Sequence, residues 1–234
     1  MTNPRGNGLR SVADQSEEER GGPGSILSRQ SRDHADLDAL MRAHDAETDP
    51  DARGRVLAEL AERALRHAFA EETVLFPAYR THLPEHGEEL TRHIEGDHQQ
   101  VNELLEQLQD ADPRSAGYDE LVHRAFEVIR HDAHDEEDDL LPRLQRVASV
   151  EELRAIGAAW EVQRRVAPTR PHPRVPRRPP GNALAAVPLS VTDRVKDAAE
   201  HLAGAGAARR AGTAVAAVLL ALTAVAAARA LRRR

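Results

Sequence analysis

His67 and Glu71, in the run HAFAEETVLFP, stand four residues apart. On a helix, positions i and i+4 project from one face a turn apart, so this pair offers an imidazole nitrogen and a carboxylate oxygen to the same region of space. That is half of a transition-metal site, and the facing helices of a bundle can supply the rest. Ten of the twelve histidines lie between His34 and His134. Among them His34 and His98, and with them Asp132 and Glu136, interrupt apolar stripes that resume on either side. Burying such groups without partners costs several kcal/mol each. Two divalent ions ~3.5–4 Å apart, bridged by carboxylates and flanked by imidazoles, would satisfy all six. A metal-free hydrogen-bond network in the core is the alternative. Glu72, beside Glu71, is placed either to hydrogen-bond a ligand from behind or on the exposed face.

The elements that must position these residues follow from apolar spacing and breakers. A first helix over 25–47 carries Leu27, His34, Leu37 and Met41 on its inner stripe. A second, 51–79, places Leu57, Leu60, Ala64, His67, Glu71, Val74 and Ala78 inward. LPEHG breaks the chain before a third helix, 85–109, with Leu90, Ile94, His98, Val101, Leu105 and Leu108. The fourth, 118–148, aligns Leu121, Ala125, Val128, Asp132, Glu136 and Leu140. Four helices with short connections predict an all-α, antiparallel four-helix bundle. A short fifth helix over 150–166, containing Trp160, is expected on its outside or end, so the domain spans 25–166.

Composition narrows the chemistry. The chain has 234 residues and no cysteine, which excludes disulfides, thiolate zinc and iron–sulfur clusters. Residues 166–234 hold 12 Lys+Arg against 3 Asp+Glu, leaving 20 against 36 in the remainder. An acidic body argues against a nucleic-acid partner. No Gly-rich phosphate loop or nucleophile elbow is present.

The order His34, HAFAEETVLFPAY, GDHQQVNELL, HDAHDEEDDLLPRL resembles the hemerythrin-like, or HHE cation-binding, domain over about residues 26–146. The following PTRPHPRVPRRPPGN is similar to the tail of actinobacterial members. The resemblance implies a four-helix bundle holding a non-haem di-iron centre, or another divalent pair, with His34, His67, Glu71 and His98 as ligands. It also implies roles in O2 binding, iron or oxygen sensing, or the handling of nitric oxide or peroxide. The fourth helix departs from the family pattern of His then Glu ten and six residues before the proline: counting back from Pro142 gives Asp132 and Glu136. His131 points about 100° off the stripe in a regular helix, and only a π-bulge would bring it inward with Glu136. Asp132 agrees in phase with Ala125 and Val128, so it is the expected metal residue and His131 the alternative. His93 should not share the site, and Asp135, Glu137, Asp138 and Asp139 read as a solvated face. O2-carrying hemerythrins are richer in histidine. More carboxylate favours the ferric state, which suits sensing or redox chemistry better than reversible transport.

Residues 1–24 lack the apolar core of a secretory signal and read as a disordered arm. Beyond the bundle, 167–188 forms a Pro-rich linker and 189–210 a short amphipathic segment. Ala211 to Ala228 is an uncharged run of 18 residues, about 27 Å as a helix, before the basic end 229–234. Its six strongly apolar residues supply only about −2 to −4 kcal/mol toward insertion. The expected arrangement is a cytoplasmic domain, with 211–228 either tethering it to the inner face of the cell membrane or packing as an Ala-rich helix on the chain itself or a partner. Three functions compete: a di-iron sensor or redox protein, catalytic only if it turns over peroxide or nitric oxide; a metal-binding or storage module without turnover; and a metal-free, membrane-tethered interaction domain.

Overall fold

Side-chain caps open three of the helices. Ser25 accepts from the Leu27 amide and starts α1 (Ile26–Ala46); Asp49 accepts from the Asp51 amide and, with Pro50 in the first turn, starts α2 (Pro50–Ala70). Each satisfies an amide the first helical turn leaves without a partner. The remaining helices are α3 (Phe76–His82), α4 (Gly87–Asp110), α5 (Tyr118–Asp135), α6 (Leu141–Val147) and α7 (Val150–Val166). α7 opens on a reciprocal Ser149–Glu152 capping box. This computed structural model describes residues 9–171 together with Asp193, and no strand occurs among them. Apart from residues 167–171 and Asp193, the expected linker and amphipathic segment, and the whole of the apolar helix 211–228 and the basic end, therefore lie outside the described residues. No described helix is long and apolar enough to cross a membrane.

The expected second and fourth helices are each interrupted by a single π-helical turn, at Glu71–Leu75 and Glu136–Leu140. In each, the amide of the residue after the turn bonds a carbonyl five back: Phe76 to Glu71, Leu141 to Glu136. Pro77 and Pro142 come immediately after. A proline has no N–H and its ring crowds the carbonyl four residues back, so widening the helix there relieves the clash. The inserted residue also shifts the phase of the helix beyond it. After Glu72 the buried residues of this stretch are Leu75, Phe76 and Tyr79, while Val74 and Ala78, expected inward, are only half-buried. In α5, ahead of the second π-turn, the buried face is broader than the expected stripe: Val122, Phe126 and Ile129 join Ala125 in the core, with Leu121 and Val128 at its margin.

α1, α2, α4 and α5 pack in a ring, each against two neighbours. Their core divides into two apolar clusters. One gathers Leu37, Leu60, Leu105 and Phe126, the other Ile26, Phe76, Ile94 and Leu141. The polar residues of the expected stripe lie on the same helices. α7 lies against α1, α2 and the first π-turn, with Trp160 buried. That close approach requires Gly157, where a Cβ would stand 2.4 Å from the Gly24 carbonyl oxygen.

The arm expected to be disordered is instead packed from Leu9 onward. Val12 is fully buried, and its amide donates to the Glu137 carbonyl at 2.9 Å. The reason lies in the second π-turn. Leu141 gives its amide to Glu136, and Pro142 has none to give, so the Glu137 carbonyl has no partner within its helix and the arm supplies one.

Candidate metal centre

Each π-turn begins with two consecutive glutamates that both point inward, Glu71–Glu72 and Glu136–Glu137, all buried. A regular helix would turn the second about 100° away from the first. The widened turn tucks the second glutamate behind a histidine of another helix.

Two donor groups result, sharing one residue. One ligand atom each from His34, His67, Glu71 and Glu136 lies within 4.8 Å of the others, and the same holds for Glu71, His98 and Asp132. Glu71 connects the groups through different oxygens: Oε1 is 2.9 Å from His67 Nε2 and Oε2 is 3.3 Å from His98 Nε2. Glu136 Oε2 is 3.3 Å from His34 Nε2, and Asp132 Oδ2 is 3.5 Å from His98 Nε2. All six residues expected to face the bundle interior therefore do so. His131 faces outward with its side chain 51% exposed, because the π-turn begins at Glu136, beyond it, and leaves the phase of α5 at 131 and 132 unchanged.

Behind each imidazole stands a carboxylate. His67 Nδ1 donates to Asp33 at 2.9 Å, His98 Nδ1 to Glu72 at 3.0 Å, and His34 Nδ1 to Glu137 at 3.1 Å. An ionised carboxylate only accepts, so these bonds place the proton on Nδ1 and aim the Nε2 lone pair inward. Of its two expected placements, Glu72 takes the one behind an imidazole. Asp33 and Glu137 are additions that the spacing does not reveal, and the reading of Glu137 and Asp135 as a solvated face is corrected: both are buried. Trp160 closes the α7 side, edge-on to His67 with ring centroids 5.7 Å apart. Arg164 lies over the Trp160 ring and reaches Asp33 at 3.8 Å.

The inner atoms have no hydrogen bonds of their own. Both oxygens of Glu71 and of Glu136, Asp132 Oδ1 and His98 Nε2 are buried without a hydrogen-bond partner. His34 Nε2 and His67 Nε2 face each other at 3.2 Å, an approach that requires a proton or a cation between the two lone pairs. Protons fill that role when no cation does. Burial opposes charge on His67, yet the charge of Glu71 and the Asp33 bond raise its pKa to about 9. Burial likewise opposes charge on His34 and His98, and both are raised well above the usual imidazole value by the carboxylates around them. Burial and the charge of Glu71 push Glu136 up to about 8. Glu71 goes the other way: despite burial, His67 holds it well below the usual carboxylate range. Imidazole nitrogens and carboxylate oxygens converging without partners are the donor set of a borderline-to-hard divalent or trivalent metal, and the residues form two such groups that share Glu71.

Tyr79 is a further residue that spacing leaves unmarked. Its hydroxyl is buried without a hydrogen-bond partner. Burial, then the charges of Glu136 and Glu71, raise its pKa well above the usual phenol value.

The Hemerythrin HHE cation binding domain model matches residues 25–144. An uncharacterized hemerythrin-like protein of Schizosaccharomyces pombe (strain 972 / ATCC 24843) is 26% identical over 166 residues, covering 71% of this chain and 80% of its own length. No solved structure matches significantly.

Proposed function

The chain belongs to the hemerythrin HHE cation-binding family, a metal-binding family, and from that premise we propose that its bundle holds two iron ions and presents them to a small ligand such as O2, peroxide or nitric oxide. The single observation carrying this reading is the division of the His34, His67 and His98 imidazoles into two sides. Nδ1 is anchored on a carboxylate, and Nε2 is aimed at carboxylate oxygens that have no hydrogen bonds of their own.

His34, His67 and Glu136 would hold one ion, His98 and Asp132 the other, with Glu71 shared between them. Bound iron supplies one-electron redox chemistry and an open position for a diatomic or peroxide ligand. The chain supplies everything else. Asp33, Glu72 and Glu137 fix the tautomer and orientation of the imidazoles and raise their basicity. The apolar clusters exclude bulk water.

The size of the space supports a small ligand. A cavity of about 20 Å³ touches His34, His67, His98 and Asp132, with Leu37 and Val101 among its apolar walls. One water needs about 10–15 Å³ on this measure, so the enclosed space matches a small ligand such as a diatomic or peroxide. A wider cleft of about 480 Å³ between α1 and α5 reaches His34 and Glu137 from outside past Met41, Ile129 and Arg130.

Iron analysis and an optical spectrum of the purified chain test this reading. The expected result is about two irons per chain, with absorption that changes on adding O2, peroxide or nitric oxide. Iron without any spectral response would favour storage. A metal-free chain from iron-replete cells would overturn the metal reading and favour an interaction domain.

A further inference from the structure

Back to back with the buried centre, α4 and α5 present a second set of donors on their outer side. α4 carries His93 and Asp97, α5 carries His131 and Asp135, and each pair is spaced i, i+4. One ligand atom each from His93, Asp97 and His131 lies within 4.8 Å of the others. His93 Nε2 stands 3.4 Å from Asp135 Oδ2 and 3.8 Å from Asp97 Oδ2, and His131 Nδ1 stands 3.8 Å from Asp135 Oδ1. The His93 and His131 rings meet edge-on at 6.0 Å. Asp97 Oδ2 is buried and makes no hydrogen bond.

These separations suit an ion better than direct pairing. Donors about 2.1 Å from a tetrahedral ion stand about 3.4 Å from one another, whereas a hydrogen bond between nitrogen and oxygen closes to about 2.9 Å. The helical register explains how one pair of helices serves two sites. Asp97 precedes His98, and His131 precedes Asp132. Consecutive helical residues diverge by about 100°, so one of each pair turns to the buried centre and the other to this outer cluster.

We propose that His93, Asp97 and His131, with Asp135 alongside, form a separate solvent-facing site for a single divalent transition cation. Two imidazoles with carboxylate oxygens select Zn²⁺, Fe²⁺, Co²⁺ or Ni²⁺ over Ca²⁺ and Mg²⁺, which take oxygen ligands. The acidic body of the chain raises the local cation concentration around it. This site does not depend on what occupies the buried centre.

Equilibrium dialysis of the full chain against Zn²⁺ tests it, comparing wild type with His93→Ala/His131→Ala and with Glu71→Ala/Glu136→Ala. The first pair is exposed, with side chains 61% and 51% accessible, so the fold should tolerate its loss. The expected result is one equivalent fewer in the outer double variant, with that same equivalent retained in the buried double variant. His131→Ala alone should weaken it on the order of 100-fold. In wild type, the ring resonances of His93 and His131 should shift as that equivalent binds. Equal stoichiometry and affinity in wild type and the outer variant, or histidine resonances that zinc does not move, would overturn the site. Failure of the buried centre would show differently, as zinc binding unchanged by Glu71→Ala/Glu136→Ala.

Discussion

The two halves of the buried centre share one plan and differ at one position. On the α1–α2 side, Asp33 precedes His34 and accepts from His67. On the α4–α5 side, Asp97 precedes His98, but Asp132 stands where the first half has a histidine. The consequence appears in the supporting aspartates. Burial works to raise Asp33, yet the His67 bond and the charge of that imidazole hold it below its ordinary value. Asp97 has no such bond, so burial and the like charge of Asp132 raise it. An aspartate has no N–H to donate backward, and Asp97 lies instead 3.8 Å from His93. Exchanging one donor type thus changes the chemistry two layers deep.

The largest expected effect comes from the residue both halves share. Glu71→Ala should deplete both ions and lower metal affinity by more than about 100-fold, while His67→Ala removes a ligand of one group only. Metal analysis after dialysis distinguishes them, with helicity retained in both because the two apolar clusters are untouched. Equal loss in the two variants would break the reading of Glu71 as the common ligand.

A smaller effect separates the supporting carboxylates. Asp33→Asn and Glu137→Gln keep their size but weaken the bond from Nδ1, and each should cost about 10–100-fold in metal affinity. Asp97→Asn should cost the buried centre far less, since no imidazole of that centre donates to it. If Asp97→Asn proved as damaging as Asp33→Asn, the asymmetry between the halves would not hold.

The smallest effect is on stability against pH. His67 rises from 6.5 to about 9 and Glu136 from 4.5 to about 8 in the folded chain. A group raised on folding contributes stability that is complete below its unfolded value and is lost as pH climbs through its folded one. The metal-free chain should therefore melt lower at pH 9 than at pH 6, by on the order of 5 °C. The iron-loaded chain should show less of that loss, because metal binding releases the protons concerned. Thermal melts at the two pH values, with and without iron, check the sign.

Much of the buried centre is legible in the sequence because helical spacing places its residues. The stripe positions of His34, His67, Glu71, His98, Asp132 and Glu136 depend on local periodicity, which survives without any knowledge of neighbours. Glu137 escapes that reading because a regular helix turns it outward. A signal is nonetheless present: EETVLFP and EEDDLLP share glutamates at the same distance from a proline, so the placement of Glu72 behind a ligand implies the same for Glu137. Asp33 has no such duplicate. His44, placed near a helix end, is buried edge-on to Phe126, a contact between helices that spacing along one helix does not reveal.

The sequence by itself determined the helices, the inward set of donors and the absence of thiolate chemistry, since these follow from periodicity, breakers and residue type. Only the tertiary structure decided which carboxylate stands behind which imidazole, that Glu71 joins the two donor groups through separate oxygens, and that the arm from Leu9 closes on the second π-turn. These are relations between residues as many as 126 positions apart, as for Ser11 and Glu137. They are set by how far a proline widens a helix and which neighbour then satisfies the groups it exposes, and no spacing along one stretch of chain records either.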